Sequence, residues 1–332
     1  MKGDPITLAD VAASGDGLAR SAAPVMTRGV LDLVMLTKPR ITVIVVATCA
    51  AGMAIAPAPL SGSVAALALL GTALSVASAN ALNMWWERET DGLMARTRSR
   101  PLPAGRLDPD MALIFGLALG ASALPMLAAV NVLTASLGLL ALVTYVLAYT
   151  PLKRHTSLAL WVGAVPGAMP PLMGWTSATG SLWSWPARDA ARAVATPASA
   201  GSFAGFGGAL LFLFLFAWQL PHFNAIALYR AEDYAKAGLK VVAVERGRRA
   251  AKWQIAGYSV VLVAVSGALA ASRVAGLTFE LSTLTLGALF LALAAYGLRA
   301  RAGAGWAKGV FAYSVVYLTL LLAILALDRN GS

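Results

Sequence analysis

The apolar residues of this chain fall into long blocks rather than alternating with polar ones, and the blocks have the length of membrane spans. A helix needs about 20 apolar residues to cross a bilayer core. On that scale the segments 41–56, 64–86, 111–130, 133–149, 158–175, 206–228, 255–271, 281–298 and 310–327 each predict a helix. The expected fold is all-α: a polytopic membrane helical bundle with about nine transmembrane helices. Residues 1–35 read as a flexible cytoplasmic tail, because Lys2, Arg20 and Arg28 are mixed there with Asp4, Asp10 and Asp16 and no apolar core runs through them. Residues 36–332 then form one transmembrane domain, with residues 32–39 as an interfacial lead-in. The segment 177–205, which carries Trp183 and Trp185, is expected outside the bundle without a catalytic role.

Composition sharpens this picture. Of the 332 residues 59% are hydrophobic and only 12% charged, which excludes an ordinary soluble domain. The single cysteine, Cys49, lies in an apolar block, so no intramolecular disulfide or multi-cysteine metal site can form, and a packing role is expected for it. The net charge of +11 is informative through its distribution. If the N-terminus is cytoplasmic, 22 of the 26 lysines and arginines fall on the inner side, leaving Arg188, Arg192, Arg273 and Arg329 outside. That asymmetry orients a membrane protein. It also accounts for the positive charge through the lipid bilayer, with no nucleic acid partner required.

One stretch does not behave as a span. Residues 80–106, NALNMWWERETDGLMARTRSRPLPAGR, leave an apolar helix as a cluster of acids followed by arginines. Asn83, Glu87 and Asp91 are four apart and stack on one helix face. Like charges at that spacing repel. A divalent cation converts the repulsion to attraction, and Mg2+ is commonly held by one or two carboxylates with substrate phosphate oxygens and water completing its shell. Arg96, Arg98, Arg100 and Arg106 follow within reach of such a phosphate, which guanidinium groups grip in a fork geometry. The alternative is a solvated helix end with arginines marking the cytoplasmic side; the acid ladder and the Arg-Pro-Leu-Pro-x-Gly-Arg turn argue against it.

Three further constellations stand out. At Tyr149-Thr150-Pro151-Leu152-Lys153-Arg154 a proline is expected to end a helix just before two cations, which act either as a positive anchor or as a second set of diphosphate contacts. The run 163–175 carries Pro166, Pro170 and Pro171 among small residues, a pattern for close helix approach. In 218–238, Gln219, His222 and Asn224 interrupt an apolar span, where polar groups are costly and point to a functional cavity. His222 is either a metal or haem ligand or a hydrogen-bonded bundle histidine. Asp233 offers a second carboxylate site opposite Asp91, and His155 is expected in an exposed loop.

Taken in order, these residues resemble the UbiA-type intramembrane prenyltransferases and, among them, the branch that farnesylates haem. The resemblance rests on Thr37-Lys38-Pro39-Arg40, the Asn83, Glu87, Asp91 ladder, Arg96 through Arg106, Tyr149 to Thr156, the Gly-Ala-x-Pro-Pro segment, and Trp218 to Phe223 with Asp233-Tyr234. It implies transfer of farnesyl from farnesyl diphosphate to the 2-vinyl group of haem B, with addition of water, at a site in a bacterial inner membrane that faces the cytoplasm. By the same resemblance Asn83, Glu87, Asp91 and Asp233 act catalytically as Mg2+ ligands. Arg96, Arg100, Lys153 and Arg154 hold diphosphate, Lys38 and Arg40 help close the site, and His222 touches haem. The chain departs from the wider family at Met84, which follows Asn83 where an acid is common, and at Tyr229, four before Asp233. A UbiA-type enzyme acting on a quinone precursor or other aromatic acceptor is the nearest alternative. A secondary transporter is a more distant one, because these groups gather at helix ends rather than the midplane. The haem chemistry leaves room for contact with a haem-modifying or oxidase-assembly protein.

Overall fold

A computed structural model describes residues 25–183, 203–272 and 274–328. Most of the expected tail and outer segment, with Trp185 and the four outer arginines, lies outside these residues. The described residues form helices without strands. We number them α1 Val25–Leu36, α2 Pro39–Ile55, α3 Gly62–Trp86, α4 Arg88–Gly92, α5 Pro109–Val130, α6 Val132–Val143, α7 Thr150–Leu152, α8 Ala159–Thr179, α9 Gly207–Tyr229, α10 Ala231–Lys236, α11 Val242–Glu245, α12 Gly247–Ala271, α13 Leu277–Tyr296 and α14 Ala304–Leu327, with a π-helical turn at Thr144–Tyr149.

Among the described residues seven helices are long and apolar enough to cross a membrane, so a multi-pass membrane protein is the architecture. By length and composition seven of the nine expected spans meet that measure among the described residues. The two remaining apolar segments correspond to α2, which has only 17 residues, and to α8, which carries three prolines. Helix α8 is nonetheless central: Ala164, Pro166 and every residue from Ala168 to Ser177 are buried. Its small residues explain how. A Cβ at Gly174 would overlap the Cys49 carbonyl, and one at Gly52 the Pro171 carbonyl, so α2 and α8 meet backbone to backbone. Cys49 itself is buried there, 3.7 Å from the Thr72 hydroxyl. Helix α9 packs against α8, α12 and α14, and α3 against α5. Large apolar side chains such as Val43, Ile44, Ile114 and Val260 remain exposed on the perimeter, as expected where lipid is the solvent.

Local chemistry sets the helix ends that matter for the site. Asp108 caps α5 by accepting from the N–H groups of Asp110 and Met111 at 2.8 and 3.2 Å, with Pro109 in the first turn. The helix that carries Pro151 ends at Leu152, just before Lys153 and Arg154, as the sequence predicts, but the proline does not break it on the way. The helix widens instead into the π turn, where the Thr150 N–H reaches the Tyr145 carbonyl, and continues through α7. A proline lacks an N–H and crowds the carbonyl four residues earlier, and one extra residue in the turn relieves both problems. Helix α12 begins eight residues before the predicted apolar segment, because Arg248, Arg249 and Lys252 continue the helix beyond its apolar part.

Candidate active site

Helix α3 ends at Trp86, yet its register carries on: the Glu87 N–H bonds to the Asn83 carbonyl and the Asp91 N–H to the Glu87 carbonyl, at 2.9 and 2.7 Å. Asn83, Glu87 and Asp91 therefore keep one face. That face looks inward, since Asn83 and Asp91 are each 2% exposed.

Each rung meets a partner from another element. The Asn83 amide donates to the Thr150 hydroxyl at 3.0 Å, and its oxygen accepts from the Lys38 ammonium at 3.4 Å. Glu87 pairs with Lys153 at 2.7 Å. Asp91 pairs with Arg100 at 2.6 Å, and its carbonyl accepts from the Thr97 hydroxyl at 2.7 Å, which closes the loop that carries the arginine. Arg154 donates to the Thr90 hydroxyl. Lys38 occupies the left-handed region at φ 48°, an unusual conformation for a residue with a Cβ, and this turn between α1 and α2 carries its ammonium to the ladder.

The electrostatics follow from this crowding. Burial, reinforced by the Arg100 and Lys153 charges and opposed by Glu87 and Asp91, lowers the Lys38 pKa to about 7. Burial also disfavours the charged form of Lys153, but Tyr149 and Glu87 beside it outweigh this, and its pKa stands above the ordinary lysine value. Its ammonium also sits 4.4 Å from the centre of the Tyr149 ring.

The loops behind these groups are tied to one another. The Lys240 N–H bonds to the Lys153 carbonyl at 2.9 Å, and the Ser157 N–H to the Glu245 carboxylate at 3.0 Å. Hydrogen bonding from the Ser157 side chain, opposed by partial desolvation and aided by the Ser157 N–H, Lys240 and Arg246, holds the Glu245 pKa below the usual carboxylate value. Arg96 lies over the Tyr234 ring at 5.6 Å, and Met94 packs with Ala237 and Leu239.

Of the residues singled out in the sequence, Asn83, Glu87, Asp91, Lys38, Arg100 and Lys153 thus come into one cluster, with Arg154 and Arg96 on its border. Arg40 is exposed on the first turn of α2. Arg106 does not join this cluster; its guanidinium turns to Asp32 at 3.0 Å. Asp233 pairs with Arg230 at 3.6 Å on its own side of α10, and it is Tyr234 that contacts the arginine loop. His222 is buried between α9 and α14: Nδ1 is 2.7 Å from the Ser314 hydroxyl, and the ring stacks on Trp218 at 4.4 Å. A hydrogen bond through Nδ1 fits both readings left open by its sequence position, the bundle histidine and the haem-side one. His155 is exposed, as expected. Sequence reasoning missed the bridging roles of Thr90 and Thr150, and nothing in the sequence marked Asp32, Ser314 or Glu245 as partners.

The donor set suits a hard cation. Two carboxylates and an amide oxygen on successive turns offer oxygen only, which matches Mg2+ with phosphate and water completing its shell. Among the described residues no three His, Cys, Asp or Glu side chains converge, so an all-protein cage of the zinc type is not built here. An open recess of about 450 Å3 between Leu293, Tyr296, Arg301 and Trp306 is lined by none of the ladder residues.

Residues 45–316 match the UbiA prenyltransferase family. A protoheme IX farnesyltransferase of Myxococcus xanthus is 46% identical over 299 residues, covering 90% of this chain and 94% of its own length. A protein of the same name from Sorangium cellulosum is 50% identical over 261 residues, covering 78% of this chain and 85% of its own. Among solved structures, a digeranylgeranylglyceryl phosphate synthase has a TM-score of 0.72 at 14% identity, over 91% of this chain and 98% of its own. A UbiA homologue from Archaeoglobus fulgidus bound to GPP and Mg2+ has a TM-score of 0.60 at 16% identity, over 89% and 99%. At such identities these two structures speak for the fold.

Proposed function

The chain belongs to the UbiA prenyltransferase family, and on that premise we propose that it transfers the farnesyl group of farnesyl diphosphate to the 2-vinyl group of haem B, giving haem O. The observation that carries the reading is the inward ladder of Asn83, Glu87 and Asp91 facing Lys38, Arg100 and Lys153, in a chain 46% identical to a protoheme IX farnesyltransferase. The reaction breaks the bond between C1 of the farnesyl chain and diphosphate oxygen. The terminal vinyl carbon of haem bonds to C1, water adds to the neighbouring carbon, and a proton leaves, so haem O and diphosphate are the products.

In this reading Asn83, Glu87 and Asp91 would hold Mg2+, which would supply charge neutralisation for the departing diphosphate. Arg100, Lys153, Arg96 and Arg154 bind the diphosphate oxygens, a role in which fixed cations stabilise the developing charge more in the transition state than in the ground state. Lys38 and Arg40 close the site beside Asn83. Burial of the ladder keeps water from the allylic cation before the vinyl group reaches it. Asp233 supplies a second acid at the edge of the site and His222 supports the haem side through α9.

We infer from the excess of Lys and Arg in the loops that carry these groups that the site faces the cytoplasm, and the bacterial origin of the relatives favours an inner membrane. Because Asp32 and Leu36 of α1 pack onto α3 and the arginine loop, the transferase domain is read as taking in α1 rather than starting at residue 36. Release of haem O, itself an apolar membrane product, favours handover to a haem-modifying or oxidase-assembly protein. The test is incubation of the purified protein with Mg2+, farnesyl diphosphate and haem B, with the product identified by mass. A mass of haem B plus one farnesyl group and one hydroxyl group supports the reading. Prenylation of a hydroxybenzoate, but not of haem, transfers the assignment to an aromatic acceptor.

A further inference from the structure

Asp32 carries an inference that the reaction chemistry does not require. It lies on α1, where Val30, Leu31, Val34 and Met35 are all exposed by 46% or more, while Asp32 is 7% exposed. A buried carboxylate on an otherwise greasy surface helix needs a strong partner. It has one: Arg106 donates from Nε to both carboxylate oxygens at 3.3 and 3.2 Å and from Nη2 to Oδ1 at 3.0 Å.

The same guanidinium reaches further. Its Nη1 donates to the Ser99 carbonyl at 3.0 Å, and the Arg106 N–H closes the turn onto the Pro101 carbonyl at 2.9 Å. Gly105 permits that turn with φ at 67°. Ser99 directly precedes Arg100, whose guanidinium holds Asp91 at 2.6 Å. A chain of contacts therefore runs from Asp32 through Arg106 and Ser99 to Arg100.

Helix α1 reaches the other end of the ladder as well. Leu36, fully buried, packs with Ala81, Met84, Leu102 and Leu107, joining α1 to α3 and to the arginine loop. The Thr37 carbonyl then accepts from the Asn80 amide at 3.4 Å and the Thr42 hydroxyl at 2.8 Å, which fixes the turn that presents Lys38 to Asn83.

We propose that Asp32 is a positioning residue for the diphosphate half of the reaction: through Arg106 it sets the turn that aims Arg100, so α1 belongs to the working site. This rests on the assignment of Arg100 to diphosphate made above. Bidentate pairing makes the guanidinium of Arg106 a rigid strut, where a lysine would be a single pivot.

The test is a comparison of the two substrates in the full-length protein. In Asp32→Asn the KM for farnesyl diphosphate is expected to rise by about tenfold, within the range that small misplacements near a reacting group produce. The KM for haem B should stay near the wild-type value. Asp32→Glu, which keeps the carboxylate, should recover most of the difference, and inorganic diphosphate should inhibit Asp32→Asn more weakly than wild type. An unchanged KM for farnesyl diphosphate, or an equal rise for both substrates, overturns the proposal. If Asp32→Asn folds poorly, Arg106→Lys carries the same comparison, with the same split expected and the same overturning results. A wild-type protein that prenylates no haem but is inhibited by diphosphate would instead count against the acceptor, leaving the Asp32 test readable on whichever acceptor it uses.

Discussion

Lys153 is the side chain whose removal separates a catalytic cluster from a merely structural one. Its ammonium stands 2.7 Å from the Glu87 carboxylate, with the two side chains 20% and 13% exposed. At that distance opposite charges attract by about 6 kcal/mol at an effective dielectric constant near 20. Much of this is offset by desolvation, and loss of one partner of a well-buried pair costs about 3–5 kcal/mol. Partial exposure places Lys153→Met at the lower end, about 3 kcal/mol of stability. Removing Glu87 as well takes away the charge left without a partner, so Glu87→Gln combined with Lys153→Met should regain most of that loss. Activity should behave differently. A lost donor to a developing oxyanion costs about 10²–10³ in rate, and the double variant also loses a metal ligand, so turnover should not return with stability. The assays are thermal unfolding in detergent and steady-state haem O formation. Near-normal turnover in the double variant would refute the reasoning, because the pair would then be a bridge between α3 and the loop after α7 and nothing more.

Other outcomes follow from particular contacts. Gly174→Ala should lower the unfolding midpoint, since its Cβ would meet the Cys49 backbone; overpacking of that kind costs about 1–3 kcal/mol, and an unchanged midpoint would deny the close approach of α2 and α8. Glu245 has a depressed pKa, so its hold on the Ser157 N–H is present at neutral pH and lost as pH falls through the folded-state value. The protection factor of the Ser157 amide, the unprotected exchange rate relative to the observed rate at the same pH, should fall on acidification in wild type but not in Glu245→Gln, and an identical pH response in both would remove the contact from the account. His222→Ala should weaken haem association before diphosphate binding suffers; unchanged haem affinity, with the same stability loss as Ser314→Ala, would assign the ring wholly to the α9–α14 contact.

The apolar blocks located the helices within a few residues because hydropathy registers lipid and protein interior alike. For the same reason it could not tell α8, enclosed by its neighbours, from a lipid-facing span, nor see α12 continue through Arg248 and Lys252. The ladder was legible because four-residue spacing survives the break between α3 and α4. The partners were harder. Glu87 and Lys153 lie far apart in the chain, and so do Asp32 and Arg106; only packing decides which cation serves which acid. Arg100 and Arg106 belong to one motif, yet one faces Asp91 and the other turns away. The π turn at Thr144–Tyr149 was hidden as well, because Pro151 signals a disturbed helix without saying whether the chain stops or widens.

The central proposal is that the ladder would hold Mg2+ and its cations a diphosphate. Calorimetric titration of farnesyl diphosphate into the detergent-solubilised protein tests it most directly, with Mg2+ present or chelated, in wild type and in Asp91→Asn. Binding that requires Mg2+ in wild type and is weakened at least tenfold in the variant is the predicted result. Equal affinity with and without the metal, or in both proteins, would contradict the account.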